Sequence, residues 1–307
     1  MDPWPTGATV SGFGNEIHPD LGVQLDVLAE LGVETYDLRS VGGTNVAALS
    51  DEEVDTVADA LAERGMSVGG IGSPIGKVNI EGGQLETASR TGLDTDAEGF
   101  EAQLEVLDRV LAIADRLEAD HVRVFSYYLP DGDDPADHRA AVLERFERKV
   151  ERAAAYDVPL LHENMPGIYG DTPERVRDLM TTIDSPYLRT IYEPANFYGA
   201  GVEPFPDSLL LLAEYVRCVH VKDTSGAGDW ATDEDVEITV VGDGDLDWPG
   251  ILDALYARGF DGAFALEPHL SMDDTSEGLS GPDPFRRAAR AFESAFRAAE
   301  ERAAAGD

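Results

Sequence analysis

Four short segments place an acid or an imidazole at the end of an apolar run: Leu161-His162-Glu163-Asn164, Ile191-Tyr192-Glu193-Pro194-Ala195-Asn196, Val219-His220-Val221-Lys222-Asp223 and Leu266-Glu267-Pro268-His269. Glu163, Glu193, His220 and Glu267 together make an oxygen-rich donor set with one nitrogen. That chemistry suits a divalent cation, Mn²⁺ or Mg²⁺ first, with Zn²⁺ and Co²⁺ also fitting. Three carboxylates gathered in one cleft repel each other unless a positive charge compensates them. One glutamate after a strand is most often a helix cap or a solvated residue. Four such ends in succession carry the metal reading.

Neighbouring positions extend the set. Period-two alternation puts Cys218, His220 and Lys222 on one strand face, so Lys222 points where His220 points. There it orients or polarises a substrate oxygen, or pairs with an acid of the rim. Arg123 shares a face with Phe125 and either pairs with Glu163 or touches substrate. Lys77 follows a Gly-Ser-Pro-Ile-Gly turn and either reaches the same mouth or serves the turn alone. His269, two residues past Glu267, is a further candidate to face the pocket. His162 falls on the opposite face from Glu163 and reads as structural. His18, His121, His138 and Trp248 read as surface or packing residues.

These ends must be positioned by regular elements. Apolar or β-branched runs read as strands at Ala8–Phe13, Val33–Leu38, Met66–Ile71, His121–Ser126, Val158–Glu163, Leu188–Glu193, Arg217–Lys222 and Gly262–Glu267. Amphipathic stretches read as helices between them: Asp20–Leu31, Ser50 to Arg64, Ala97–Leu117, Pro135–Tyr156, one starting at Thr172-Pro173, one near Asp207–Tyr215, one starting at Asp247-Trp248-Pro249, and Asp283–Ala305. Ser50 and Glu53 have capping-box spacing. A Gly-rich connection runs from Gly72 to Gly92, and Glu237–Val241 reads as an extra strand. Eight strands alternating with eight helices predict an α/β fold, a single (β/α)8 TIM barrel domain spanning residues 1–307, with an open doubly wound sheet as the rival. In such barrels the chemistry sits at the carboxyl ends of the strands, where the four segments lie.

The composition narrows the functions. The chain has 307 residues with 23 Lys+Arg against 61 Asp+Glu, a formal net charge of −38. That argues against binding nucleic acid or anionic membranes, since both need a basic face. One cysteine, Cys218, excludes an intrachain disulfide and a cysteine-based zinc site. No apolar run reaches the roughly 20 residues of a membrane span, and Met1-Asp2-Pro3-Trp4-Pro5 does not read as a signal peptide. The expectation is a soluble cytoplasmic protein acting on a small molecule, with assembly into a homo-oligomer left open.

Such an acidic surface resembles that of proteins from salt-in halophiles. Self-repulsion at low salt is screened at molar salt, where the Debye length is about 3 Å. The melting temperature should therefore rise between dilute buffer and molar KCl, and an unchanged value would refute this. Only three of the basic residues are lysines: Lys77, Lys149 and Lys222. Lys149, within Glu147-Arg148-Lys149-Val150-Glu151-Arg152, reads as part of an exposed helix face. Lys77 and Lys222 sit by strand ends, where solvation does not account for them.

The ordered motifs resemble the xylose-isomerase-like barrels of sugar (phosphate) isomerases and epimerases. They are Glu34-Thr35-Tyr36-Asp37-Leu38-Arg39, Gly72-Ser73-Pro74-Ile75-Gly76-Lys77, His162-Glu163-Asn164, Tyr192-Glu193-Pro194-Ala195-Asn196-Phe197, His220-Val221-Lys222-Asp223 and Gly242-Asp243-Gly244-Asp245-Leu246-Asp247-Trp248. The resemblance covers most of the chain. It implies one metal on Glu163, Glu193, His220 and Glu267. Glu193 stands where the family usually has the shorter aspartate, and Asn196 where many members have a histidine; asparagine still binds a hydroxyl but carries no proton. By this resemblance the metal chelates a carbonyl and its adjacent hydroxyl on a sugar, sugar phosphate or polyol-derived substrate, and Glu163 and Glu267 act as acid and base on the enediolate. The inosose dehydratase type, which expels water at the same centre, is the alternative, with a non-catalytic sugar- or metal-binding barrel behind it. Apurinic endonuclease IV shares the barrel, but it needs three metals and extra histidines, and no Asp-x-His follows His220.

Overall fold

The computed structural model describes residue 4 and residues 9–82, 99–226, 236–270 and 281–305. Eight parallel strands close into a barrel: β1 (Thr9–Phe13), β2 (Thr35–Leu38), β3 (Ser67–Ile71), β4 (His121–Val124), β5 (Leu160–Glu163), β6 (Leu188–Tyr192), β7 (Val216–Val221) and β8 (Ala263–Leu266). They pair in chain order, and β1 joins β8 through Thr9 opposite Ala263 to close the ring. Closure leaves no sheet edge, which rules out the open doubly wound alternative.

The helices follow their sequence signals: α1 (Leu21–Glu30), α2 (Asp51–Arg64), α3 (Phe100–Arg116), α4 (Pro135–Tyr156), α5 (Pro173–Ile183), α6 (Leu209–Leu212), α7 (Trp248–Ala257) and α8 (Asp283–Ala305). Both halves of the Ser50/Glu53 capping box form, and Gly65 ends α2 in the left-handed conformation. Asp20, Asp134, Thr172 and Asp247 cap α1, α4, α5 and α7. The helix expected near Asp207–Tyr215 is only one turn, because Pro204 and Pro206 precede it and Phe205 is extended. A one-turn helix, Pro194–Gly199, starts directly after β6. Glu237–Thr239 is a strand, pairing antiparallel with Asp223–Ser225. The Gly-rich connection beyond residue 82 and the first residues of the Ala97–Leu117 stretch lie outside the described residues.

Most of the buried apolar side chains pack between the strands and the helix layer. Trp248 is there, buried edge-on to Phe292. Inside the barrel, Phe13, Leu161, Ile191, Cys218 and Ala265 form a separate apolar layer. Four of these stand two positions before Glu163, Glu193, His220 and Glu267, so alternation lifts those four one level above an apolar floor.

The exposed setting expected for Lys149 is incorrect. Lys149 is 1% exposed, and its ammonium donates to the Phe125 carbonyl at 3.1 Å. The rings of Phe146 and Tyr127 lie 3.9 and 4.5 Å from it. The surrounding charge pairs occupy the other flank of α4, whereas Lys149 is in helical step with buried Val142, Phe146 and Ala153. Burial, with Arg145 nearby, pushes its pKa well below the ordinary lysine value.

A candidate metal centre at the strand ends

Glu163 ends β5, Glu193 follows β6, His220 lies in β7 and Glu267 follows β8. All four are buried, and one ligand atom from each lies within 4.8 Å of every other. His220 Nδ1 stands 3.0 Å from Glu267 Oε2 and 3.7 Å from both Glu163 Oε2 and Glu193 Oε2. Ligands of an octahedral ion at about 2.1 Å stand about 3.0 Å apart when adjacent and about 4.2 Å when opposite, so this spacing suits one ion. Glu193 Oε2, His220 Nδ1 and Glu267 Oε2 are buried and, apart from charge contacts with one another and with Lys222, find no hydrogen-bond partner. Buried polar atoms of that kind are costly without a partner, and a cation between them supplies one. The residues present therefore fit a divalent metal.

Glu193 shows how the longer side chain is accommodated. Its Oε1 accepts the Ala195 amide at 3.0 Å, capping the Pro194–Gly199 turn, and Oε2 is left facing the cluster. Asn164 fixes the same backbone from both sides, donating to Glu193 O at 2.9 Å and accepting from Glu193 N at 3.0 Å. Asn196 donates to Glu163 Oε1 at 3.2 Å and to Asn164 O at 2.8 Å. The two asparagines thus tie the ends of β5 and β6 together.

Cations ring the carboxylates. Lys222 Nζ lies 3.1 Å from Glu193 Oε2 and 3.9 Å from Glu267 Oε2. Arg123 Nη1 lies 3.0 Å from Glu163 and 3.2 Å from Glu267, and its other donors face the carbonyls of Gly72 and Ser73. Arg39 donates to Glu267 and Glu16, both at 2.7 Å, and to Asn15 at 3.1 Å. His269 Nδ1 meets Glu16 at 2.6 Å, and its other ring nitrogen lies 3.9 Å from Glu267. Lys77 stands over the Phe125 ring at 4.8 Å.

The charges follow from these contacts. Burial works to raise the pKa of Glu163, but Arg123 and His220 outweigh it and hold the group below the ordinary range. Burial likewise opposes ionisation of Glu267, and His220 and His269 overcome it by a wide margin. Glu193 is raised, because burial exceeds the help from Lys222 and His220. Burial lowers His220, yet Glu267 and Glu163 raise it on balance. Glu16 falls to about 2, since His269 and Arg39 prevail over its burial. Two of the three clustered carboxylates, Glu163 and Glu267, are thus held anionic without any ion.

The sequence reading named the four clustered residues and the cations Arg123, Lys222 and Lys77. It missed Glu16, Arg39 and Asn164 as members of the site. Arg39 and Asn164 stood in quoted motifs, directly after strand residues; Glu16 lies in a turn after β1 and had no comparable signal. His162 points away from the cluster, bonded to Ser126 Oγ at 3.0 Å, and burial pulls its pKa down to about 3.

Barrel, strand-end donors and their cationic ring define a class. The chain belongs to the xylose isomerase-like TIM barrel family, matched over residues 25–299. Among solved structures it is similar to an IolI protein with a bound zinc atom (TM-score 0.73, 14% identity, 94% of this chain and 98% of that one). It is also similar to a D-tagatose 3-epimerase-like protein (TM-score 0.70, 16% identity, 96% of this chain and 99% of that one). An uncharacterized protein of Methanocaldococcus jannaschii, MJ1311, is 30% identical over 123 residues, which span 38% of this chain and only 39% of that protein. No helix among the described residues is long and apolar enough to cross a membrane.

Proposed function

We propose that this chain is a divalent-metal-dependent isomerase or epimerase of a polyhydroxylated carbonyl compound. Glu163, Glu193, His220 and Glu267 would hold the ion. Bound there, the ion supplies electrophilic polarisation of a carbonyl oxygen, which acidifies the adjacent C–H bond. The observation that carries the reading is that Glu163 and Glu267, on strands three places apart in the ring, both contact one nitrogen of Arg123 at 3.0 and 3.2 Å. Two buried carboxylates held ionised from different sides of the rim are what removal of a proton from one face and return to another requires.

The chain's own residues divide the remaining work. Asn196 fixes the orientation of Glu163, and Arg39 that of Glu267. Lys222, beside Glu193, offers positive charge to an oxygen that gains negative charge during proton removal. The apolar floor beneath keeps water from that side, so these charges act in a low dielectric.

The test is proton exchange. Purified protein with Mn²⁺ in D₂O and high salt is incubated with ketoses, sugar acids and inososes, and followed by NMR. The expected result is metal-dependent deuterium incorporation next to a carbonyl, with an inverted centre or a shifted carbonyl in the product. Net loss of water would assign the dehydratase chemistry instead. No exchange with any compound would leave a binding barrel.

A further inference from the structure

The chain carries 61 acidic residues and only three lysines. Lys222 is committed to Glu193, and Lys149 to the Phe125 carbonyl. Lys77 differs. Among the described residues its ammonium makes no hydrogen bond and meets no carboxylate at ion-pair distance; its contact is the face of the Phe125 ring, 4.8 Å away. It shares that ring with Arg123, whose guanidinium carbon lies 5.2 Å from the ring centre and which contacts Glu163 and Glu267, so Lys77 borders the same mouth. Arg123 and Arg39 have their donors engaged by Glu163, Glu267, Glu16, Asn15 and backbone carbonyls. Among the described residues Lys77 is therefore a cation of this mouth with no carboxylate of its own to neutralise it, which leaves its donors for a ligand.

Its backbone is held in place. Lys77 N closes a turn on Pro74 O at 2.9 Å, and the segment is stitched to the chain after β4 by Phe125 N to Ile75 O at 2.8 Å, Tyr127 N to Gly76 O and Tyr128 N to Val78 O, both at 3.0 Å. Gly76 has φ +85, and a Cβ there would meet Phe125 O at 2.0 Å. Only glycine permits this approach, which locks the base of the Lys77 side chain beside the Phe125 ring. Burial, and then Arg123, lower its pKa to about 8, so it remains mainly charged at neutral pH. A part-buried ammonium beside an aromatic face and a second cation gains most from an incoming anion.

Resting on the isomerase or epimerase reading, we propose that Lys77 is a specificity residue that binds a carboxylate of the substrate, making the substrate a polyhydroxy acid with a carbonyl rather than a neutral sugar. A single ammonium matches a monoanion. A phosphate dianion would leave one charge uncompensated in a strongly acidic protein, where anion sites built for phosphate gather several donors.

The test has a binding arm and a turnover arm, both on Mn²⁺-loaded full-length protein. Isothermal titration compares D-gluconate with D-glucitol for wild type, Lys77→Gln and Lys77→Arg. The expected result is gluconate bound at least tenfold more tightly than glucitol by wild type, a preference abolished in Lys77→Gln and partly restored in Lys77→Arg. The turnover arm compares D-glucuronate, D-ribulose 5-phosphate and D-ribulose. Uronate preference expressed in KM, and lost in Lys77→Gln with kcat little changed, supports the assignment. Equal use of neutral and acidic compounds, a stronger preference for the phosphate, or a gluconate preference that survives in Lys77→Gln overturns it. If gluconate binding depends on Lys77 but no compound turns over, the assignment stands and the isomerase reading fails. Melting temperatures of the variants matching wild type would show that folding is intact.

Discussion

Glu163→Gln and Glu267→Gln should each lower turnover by about 10²- to 10⁴-fold, the usual contribution of a positioned acid or base, while Mn²⁺ binding weakens only partly. The amide keeps the shape of the side chain and one oxygen donor, so three ligands and most of a fourth remain. What it loses is the ability to accept or return a proton. In Glu163→Gln the Asn196 contact at Oε1 can persist, because an amide oxygen accepts as a carboxylate oxygen does. In Glu267→Gln both Arg39 and Arg123 lose an anionic partner, so some loss of stability should accompany the loss of rate. The kinetic measurement that separates the two roles is deuterium exchange: with proton transfer split between two faces, one variant should still wash a deuteron into substrate without completing inversion. Wild-type turnover in either variant would remove that glutamate from the chemistry.

Mn²⁺ at about a hundredfold above its dissociation constant should stabilise the folded chain by about 2.7 kcal/mol. For a chain of this length that is a rise in melting temperature of about 4 °C. The stabilisation arises because the ion binds the folded cluster and not the unfolded chain, and it supplies partners for Glu193 Oε2, His220 Nδ1 and Glu267 Oε2. Chelation with EDTA should reverse it. His220→Ala should abolish most of the shift, since the nitrogen donor at the centre of the cluster is gone. Because the −38 chain responds to salt as such, the comparison belongs at matched ionic strength in KCl. A melting temperature independent of Mn²⁺, Mg²⁺, Zn²⁺ and Co²⁺ would remove the metal from the account.

Much of the barrel was legible because two periods dominate it. Runs such as Val158–Glu163 and Arg217–Lys222 are strand-length, and their alternation set His162 and Glu163 on opposite faces and His220 with Lys222 on one. The caps were legible because Ser50, Thr172 and Asp247 have side chains that accept the first amides of a helix. Local rules failed where a neighbour in space decided the outcome. Lys149 lies among charge pairs in sequence, yet its place in the Val142, Phe146, Ala153 stripe put it under two aromatic rings. Glu16 sits in a turn with nothing local to mark it, and its partners Arg39 and His269 come from elements 23 and 253 positions away. The helical turn at Pro194 exists partly because Glu193 caps it, a cap that the ligand reading of that residue concealed.

The apolar layer of Phe13, Leu161, Ile191, Cys218 and Ala265 acts as a stopper in the throat of the cylinder. On the proposed reading, ion, solvent and substrate enter and leave by the opening above it, so the segments bordering that opening govern access. Changes in those segments can redirect which molecule is admitted without disturbing the seat of the ion, whose walls and base belong to the strands.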